Sequence, residues 1–288
     1  MSAGLRRVAC LLCGLLCGLL GGVLALAGAV RAAAPCGERH ELPTHGGSRS
    51  VVSLSQPAAA PAAVLVLLAG GSGHLQLDEV GCPRQLKGNA LLRMRPLWVA
   101  EGFATLMVDA PSDWQGEDGL AGFRADPAHA EDIGQFVRWL RVRLPGVPVW
   151  LVGTSRGTIS AVHAAARLQG PAAPDGLVLS SLLSAGQAGA RKPWVGQTVF
   201  DAPLGAIRQP LLLLGHAEDR CPRSPPERMP ELLARVASVR AQQVLVQGGP
   251  GGLRADPSAC EGRSPHGFVE QEAEVAAGVA RFVRGASY

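Results

Sequence analysis

From residue 33 onward this chain carries almost no surplus of charge. Residues 1–32 hold three Arg and no acidic side chain, so of 27 Lys plus Arg and 23 Asp plus Glu, 24 basic and 23 acidic groups remain beyond them. A surface so balanced offers no electrostatic footprint for nucleic acid or for an anionic membrane. Metal-ligand spacing is missing as well. His40, His45, His129 and His216 form no H-x-x-x-H pair with a third acidic or histidine ligand, so no metal and no other cofactor is expected. No internal repeat occurs, which excludes a solenoid or a propeller. Gly248 to Gly252 (GGPGG) looks like a phosphate loop, but neither a G-K-[ST] ending nor a helix pattern follows, so it reads as a flexible connection. No domain linker interrupts the chain either: in Gln56 to Ala63 (QPAAAPAA) a strand pattern resumes at once. At 288 residues, one α/β domain with an ample core is the natural size.

What is present begins with an export segment. A short basic head, MSAGLRR, precedes an uncharged stretch over residues 8–30 dominated by Leu, Val, Ala, Gly and Cys. Val30-Arg31-Ala32 supplies small residues at the two positions a signal peptidase reads, so residues 1–32 are expected to be a signal peptide and 33–288 the mature domain. The stretch is also long enough to span a bilayer, and an uncleaved anchor facing outside the cytoplasm is the alternative. A lipidated N-terminus is rejected, because none of Cys10, Cys13, Cys17 and Cys36 follows the required Leu-small-small triplet.

Along the mature chain, strand and helix patterns alternate. Glu41–Pro43 and Arg49–Ser55 flank a glycine turn and read as a hairpin. Ala63–Ala69, Leu106–Asp109, Gly176–Ser180, Pro210–Gly215 and Val244–Val246 are apolar runs of the kind buried on both faces of a parallel sheet. Between them, a helix is expected in the segment running through Arg95, and another over 131–144 with Ile133, Phe136, Val137, Leu140 and Leu144 on one face. Ser224-Pro-Pro-Glu227 reads as a capping box opening a helix that turns Met229, Leu232, Leu233 and Val236 inward. A last helix is expected over Phe268–Val283 with Val275, Val279 and Phe282 buried. The pattern predicts a mostly parallel sheet covered by helices on both faces.

One junction carries chemistry. The apolar run Val147–Val152, broken by Pro148, ends in Gly153-Thr-Ser-Arg-Gly157, followed by the helix pattern Thr158–Leu168. G-x-S-x-G between a strand and a helix is the turn that lifts a serine hydroxyl clear of a sheet, small residues on either side letting it close. If Ser155 is a nucleophile, it needs a base and a group to orient that base. Loops at the carboxyl ends of parallel strands converge, so the partners belong after later strands. Asp219 follows the strand ending near Leu214, and His266 lies in Ser264-Pro-His-Gly267 between the last strand and the last helix.

The order Ser155, Asp219, His266, together with GTSRG and SPHGF, resembles the α/β-hydrolase superfamily, in particular an exported serine hydrolase similar to dienelactone hydrolase, over roughly residues 40–285. The resemblance implies a catalytic Ser-His-Asp triad acting on a small-molecule acyl substrate. It implies an oxyanion hole from the Arg156 amide and one amide after the strand ending at Ala69, Gly71 or Ser72, with Gly71 preferred. Ala69-Gly70 stands where the family often has His-Gly. Asp109 takes the place of a structural aspartate. Glu218 competes with Asp219 as the acid. His74 is expected at the surface or against substrate, and His163 as a packed helix residue. The interval 181–209 leaves room for a flap but not a lid domain, and Trp114, Trp194 and Phe200 are candidate pocket walls.

Four cysteines follow the export segment, and an even count in an oxidising compartment points to disulfides with three possible pairings. If the triad assembles, the loops bearing Asp219 and His266 are neighbours. The expected pair is then Cys221–Cys260, which leaves Cys36–Cys82 as the second.

Overall fold

The computed structural model describes residues 36–187, 189–251 and 254–288. The expected signal peptide, its cleavage near Ala32 and the alternative anchor lie outside the described residues. Among the described residues no helix is long and apolar enough to cross a membrane.

Eight strands form one sheet. They are β1 (Glu38–Pro43), β2 (Arg49–Ser55), β3 (Val64–Leu68), β4 (Ala104–Val108), β5 (Val149–Thr154), β6 (Gly176–Ser180), β7 (Leu211–His216) and β8 (Ala241–Val246). Their spatial order is β1-β2-β4-β3-β5-β6-β7-β8. The β1–β2 and β2–β4 pairs are antiparallel and all others parallel, so the expected hairpin becomes one edge of the sheet. The helices are α1 (Ala90–Ala100), α2 (Pro127–Arg143), α3 (Gly157–Arg167), α4 (Met229–Leu233) and α5 (Glu272–Val283).

The alternation of side chains along a strand divides the core in two. In β3, Val64, Val66 and Leu68 join the layer under α2 and α3, while Leu65 and Leu67 join the layer under α1 and α5. Both layers are apolar, so the strand reads as an unbroken apolar run. Helix α2 turns Ile133, Phe136, Val137 and Leu140 inward, and Leu144 packs just past its end. Its start is set by Asp126, whose carboxylate accepts from the Ala128 amide at 2.8 Å, with Pro127 in the first turn. Helix α1 is capped in the same manner by Asn89 and buries Met94 and Trp98 against the opposite layer.

Two local expectations are corrected. The Ser224–Glu227 capping box does not form. Pro225 precedes another proline and stays extended at ψ 121, which delays the first turn to Pro226–Arg228 and leaves the Ser224 hydroxyl without a partner. Helix α4 is consequently a five-residue piece, although Met229 and Leu232 are buried as expected. The last helix begins at Glu272 rather than Phe268, because Phe268 and Glu270 adopt φ of 54 and 65. Interval 181–209 holds only single 3-10 turns among its described residues, in keeping with a flap.

Candidate active site

At the carboxyl end of β5 the chain makes the sharp turn that G-x-S-x-G predicts. Ser155 sits at φ 51, a left-handed conformation rare for a residue with a Cβ. Its amide donates to the Ser180 carbonyl at 3.0 Å, and the Thr158 hydroxyl donates to its carbonyl at 2.6 Å, so the strained turn is held from both sides. The flanking glycines are steric necessities. A Cβ at Gly153 would lie 2.7 Å from the Gly157 carbonyl oxygen, and one at Gly157 would collide with the carbonyl of Leu68.

Asp219 and His266 meet although 47 residues separate them. His266 Nδ1 lies 2.9 Å from Asp219 Oδ2, with both side chains almost wholly buried. The other carboxylate oxygen, Oδ1, accepts from the Cys221 amide at 2.8 Å. Glu218, the competitor, instead points to solvent beside Arg220. An ionised carboxylate only accepts, so Nδ1 is the donor to it, and in the neutral tautomer that fits this contact the lone pair is on Nε2. That Nε2 is buried and has no hydrogen-bond partner among the described residues. Ser155 and His266 line the same cleft of about 390 Å³, together with Gly70, Gly71, Leu86, Asn89 and Arg263. No hydrogen bond joins Ser155 to His266.

Both disulfides pair as expected, Cys221 with Cys260 and Cys36 with Cys82. The first ties the loop of Asp219 to the loop of His266, and Cys260 itself lines the cleft. Of the two oxyanion candidates after β3, Gly71 lines the cleft and Ser72 does not. The amides of Gly71 and Arg156 have no acceptor among the described residues. Gly70 fits tightly beneath the elbow, where a Cβ would stand 2.9 Å from that of Ser155.

Asp109 braces the loop, accepting from the amides of Leu75 (2.6 Å), Leu77 (2.9 Å) and Ala110 (2.9 Å). His74 Nδ1 lies 3.1 Å from the same carboxylate, so this part-buried histidine also joins the brace. His163 is packed on α3 beside Arg167, and burial followed by that cation lowers its pKa to about 4. The aromatic walls are corrected, since none of the three lines the cleft. Trp114 stacks on Phe123 at 4.7 Å, and Phe200 packs under Arg228 and Arg235. Trp194 covers the Arg156 guanidinium at 4.0 Å, and burial there, with Arg223 nearby, lowers the Arg156 pKa to about 10. These loop aromatics found apolar or cationic partners of their own away from the cleft.

Two supporting residues escaped sequence reasoning. His216, considered only as a metal ligand, donates from Nε2 to the Gly248 carbonyl (2.9 Å) and accepts at Nδ1 from the Glu218 amide (3.1 Å), shaping the turn into Asp219. Its place at the end of the strand before the acid was the available signal. Ser181 donates its hydroxyl to the His266 carbonyl at 2.6 Å, for which the sequence offers no sign. No metal-holding cluster of His, Cys, Asp and Glu occurs among the described residues.

No protein-family model and no curated protein matches the chain. Solved structures do. A thermostable carboxyl esterase from Bacillus coagulans superposes with a TM-score of 0.59 at 12% identity, covering 86% of this chain and 98% of its own. Dienelactone hydrolase from Anabaena variabilis gives 0.56 at 15% identity, over 88% of this chain and 100% of its own. An α/β serine hydrolase without lid from Xanthomonas campestris gives 0.52 at 16% identity, over 83% and 94%.

Proposed function

The chain has the α/β-hydrolase fold, and on that fold we propose a serine hydrolase that cleaves a carboxylic ester of a small-molecule acyl substrate through an acyl-enzyme. The observation that carries this reading is the His266 ring. One nitrogen is held by Asp219 and the other is free, in a cleft shared with a serine at a strained elbow. In the proposed reaction His266 Nε2 takes the Ser155 proton as Oγ attacks the carbonyl carbon. The Gly71 and Arg156 amides receive the negative oxygen, and Asp219 stabilises the imidazolium. His266 then protonates the departing alcohol, leaving an ester on Ser155. Water attacks that ester with His266 again as base, releasing the acid and restoring Ser155.

The cleft is walled by glycines from two loops together with Leu86, Asn89, Glu261 and Arg263. Turnover of nitrophenyl esters of increasing acyl length and of aminoacyl amides, wild type against Ser155→Ala, tests the reading and separates ester from amide cleavage. A wild-type protein that neither turns over these substrates nor takes a fluorophosphonate label is a binding protein on a hydrolase fold. The two disulfides support export to an oxidising compartment, outside the cell or in the periplasm. N-terminal sequencing of the exported protein distinguishes a cleaved signal from a retained anchor.

A further inference from the structure

Arg124 is a buried cation without a counter-ion. Only 1% exposed, it makes no ion pair among the described residues, and burial together with the nearby Arg156 holds it well below the usual arginine range. Removing a guanidinium from water without a carboxylate partner is unfavourable for stability, and an apolar side chain of similar volume would serve a core better. The arrangement around it points to another use.

Arg124 Nη2 donates to the carbonyls of Ala69 (3.0 Å) and Gly71 (3.3 Å), in the loop after β3. Its Nη1 donates to the Ser160 hydroxyl at 2.9 Å, on α3 five residues beyond Ser155. Ser160 is 2.9 Å from His129 Nε2, and His129 is kept neutral, with a pKa of about 3, by burial and by the charge of Arg124. A neutral ring bonds the Ser160 hydroxyl as acceptor or donor according to its tautomer, and either way the Ser160 oxygen keeps a lone pair for Arg124. Gly73 makes room, because a Cβ there would lie 2.6 Å from Nη2. The carbonyl between the two that Arg124 holds, that of Gly70, accepts from the Gly73 amide at 3.1 Å. It belongs to the same peptide unit as the Gly71 amide, so that unit is clamped on both sides.

The two candidate oxyanion donors come from separate segments of chain, and the Arg124 side chain bonds to both the loop that carries Gly71 and the helix that follows Arg156. We propose that Arg124 is the positioning residue of the oxyanion hole: its three hydrogen bonds set the separation of the Gly71 and Arg156 amides, and its uncompensated charge favours the negative oxygen that forms there. This rests on the hydrolase reading above.

The test compares Arg124→Met and Arg124→Lys with wild type in the full chain. It measures kcat and KM on nitrophenyl acetate and the inhibition constant of a boronic acid, which mimics the tetrahedral intermediate. Rates are normalised to active sites counted by exhaustive fluorophosphonate labelling. The loss of a well-aimed oxyanion donor is worth on the order of 10²–10³ in kcat, so misplacing one predicts a fall of about 30- to 300-fold in Arg124→Met with KM within about threefold. Boronate affinity falls by a similar factor, and Arg124→Lys recovers part of both. A residue that only supports the fold would lower the melting temperature and leave the normalised kcat and boronate affinity unchanged, which overturns the proposal. If Arg124→Met does not fold, Ser160→Ala decides, since it cuts the tie to α3 and keeps the guanidinium. A several-fold lower kcat at unchanged KM supports the role, and an unchanged kcat refutes it. An inert, unlabelled wild type sinks the hydrolase reading itself, whereas an active wild type with an equally active Arg124→Met sinks only the role of Arg124.

Discussion

Of the histidine–aspartate pairs among the described residues, those of His266 and His45 are built in opposite ways. His266 meets one carboxylate, Asp219, and leaves Nε2 unpartnered at a cleft. His45 meets two: Nδ1 is 2.7 Å from Asp132 and Nε2 is 2.9 Å from Asp113. A ring with carboxylates on both nitrogens holds its proton, since either nitrogen that loses it faces a negative oxygen with nothing to donate. Burial alone would lower the His45 pKa, yet the bonds to Asp132 and Asp113 outweigh it and raise the value. His45 therefore fastens the turn of the β1–β2 hairpin to α2. His266 has one ring nitrogen bonded to a carboxylate and the other without a partner among the described residues. Pairing with aspartate is common to both, and what sets His266 apart from His45 is an unpartnered nitrogen in a residue that lines the same cleft as Ser155.

The largest expected effects break the His266 side of this contrast. Ser155→Ala or His266→Ala should lower kcat on nitrophenyl esters by on the order of 10⁴ or more; Ser155→Ala should leave the melting temperature unchanged, whereas His266→Ala should lower it by leaving the buried Asp219 carboxylate unpaired. Asp219→Asn should cost about 10³- to 10⁴-fold, because an amide can donate to Nδ1 and turn the ring to the wrong tautomer. Stopped-flow or steady-state rates on the purified variants check both.

A smaller effect separates the two bridges. They close loops of similar length, with sequence separations of 39 and 46, so removing either should destabilise the fold comparably, by about 2–5 kcal/mol in denaturant titrations. Only the loss of Cys221–Cys260 should also reduce kcat in the folded protein, because the Cys221 amide holds Asp219. Equal activity of the two bridge variants would remove the clamp from the account. Asp109→Asn should destabilise by about 1–3 kcal/mol, since one carboxylate oxygen accepts from two backbone amides and an amide nitrogen in either position faces a donor.

The subtlest test reads pH. His45 has a folded pKa raised above its unfolded value of about 6.5, so its contribution is fully present below that value and is lost as pH rises through the folded pKa. His163, lowered to about 4, works in the other direction: its neutral form is favoured by folding, so stability falls as pH drops from about 6.5 toward 4. Denaturation midpoints across pH should show the alkaline loss vanish in His45→Asn and the acid loss shrink in His163→Gln.

Much of this was legible beforehand because it rests on local patterning. The strands of the parallel sheet and the buried faces of α2 and α5 follow from runs and periods of apolar residues. The elbow follows from glycines that no other residue could replace. Errors arose where one proline or one positive φ moved an element's start, as at Pro225 and Phe268, and where a loop aromatic had several partners within reach. Sequence order also proposed Asp219 for His266, but it gave no sign that Ser181 would hold the His266 carbonyl or that Arg124 would sit between the β3 loop and α3.

By itself the amino-acid order determined the alternation of strands and helices, the tight turn at Ser155 and the residues available for chemistry, since each depends on neighbours a few positions apart. Tertiary structure alone decided which histidine nitrogen stays free, that Asp113 and Asp132 close on His45, and where an unpaired guanidinium is buried. Those outcomes depend on which segments the folded sheet brings within 3 Å, and that distance is set by packing across the whole chain.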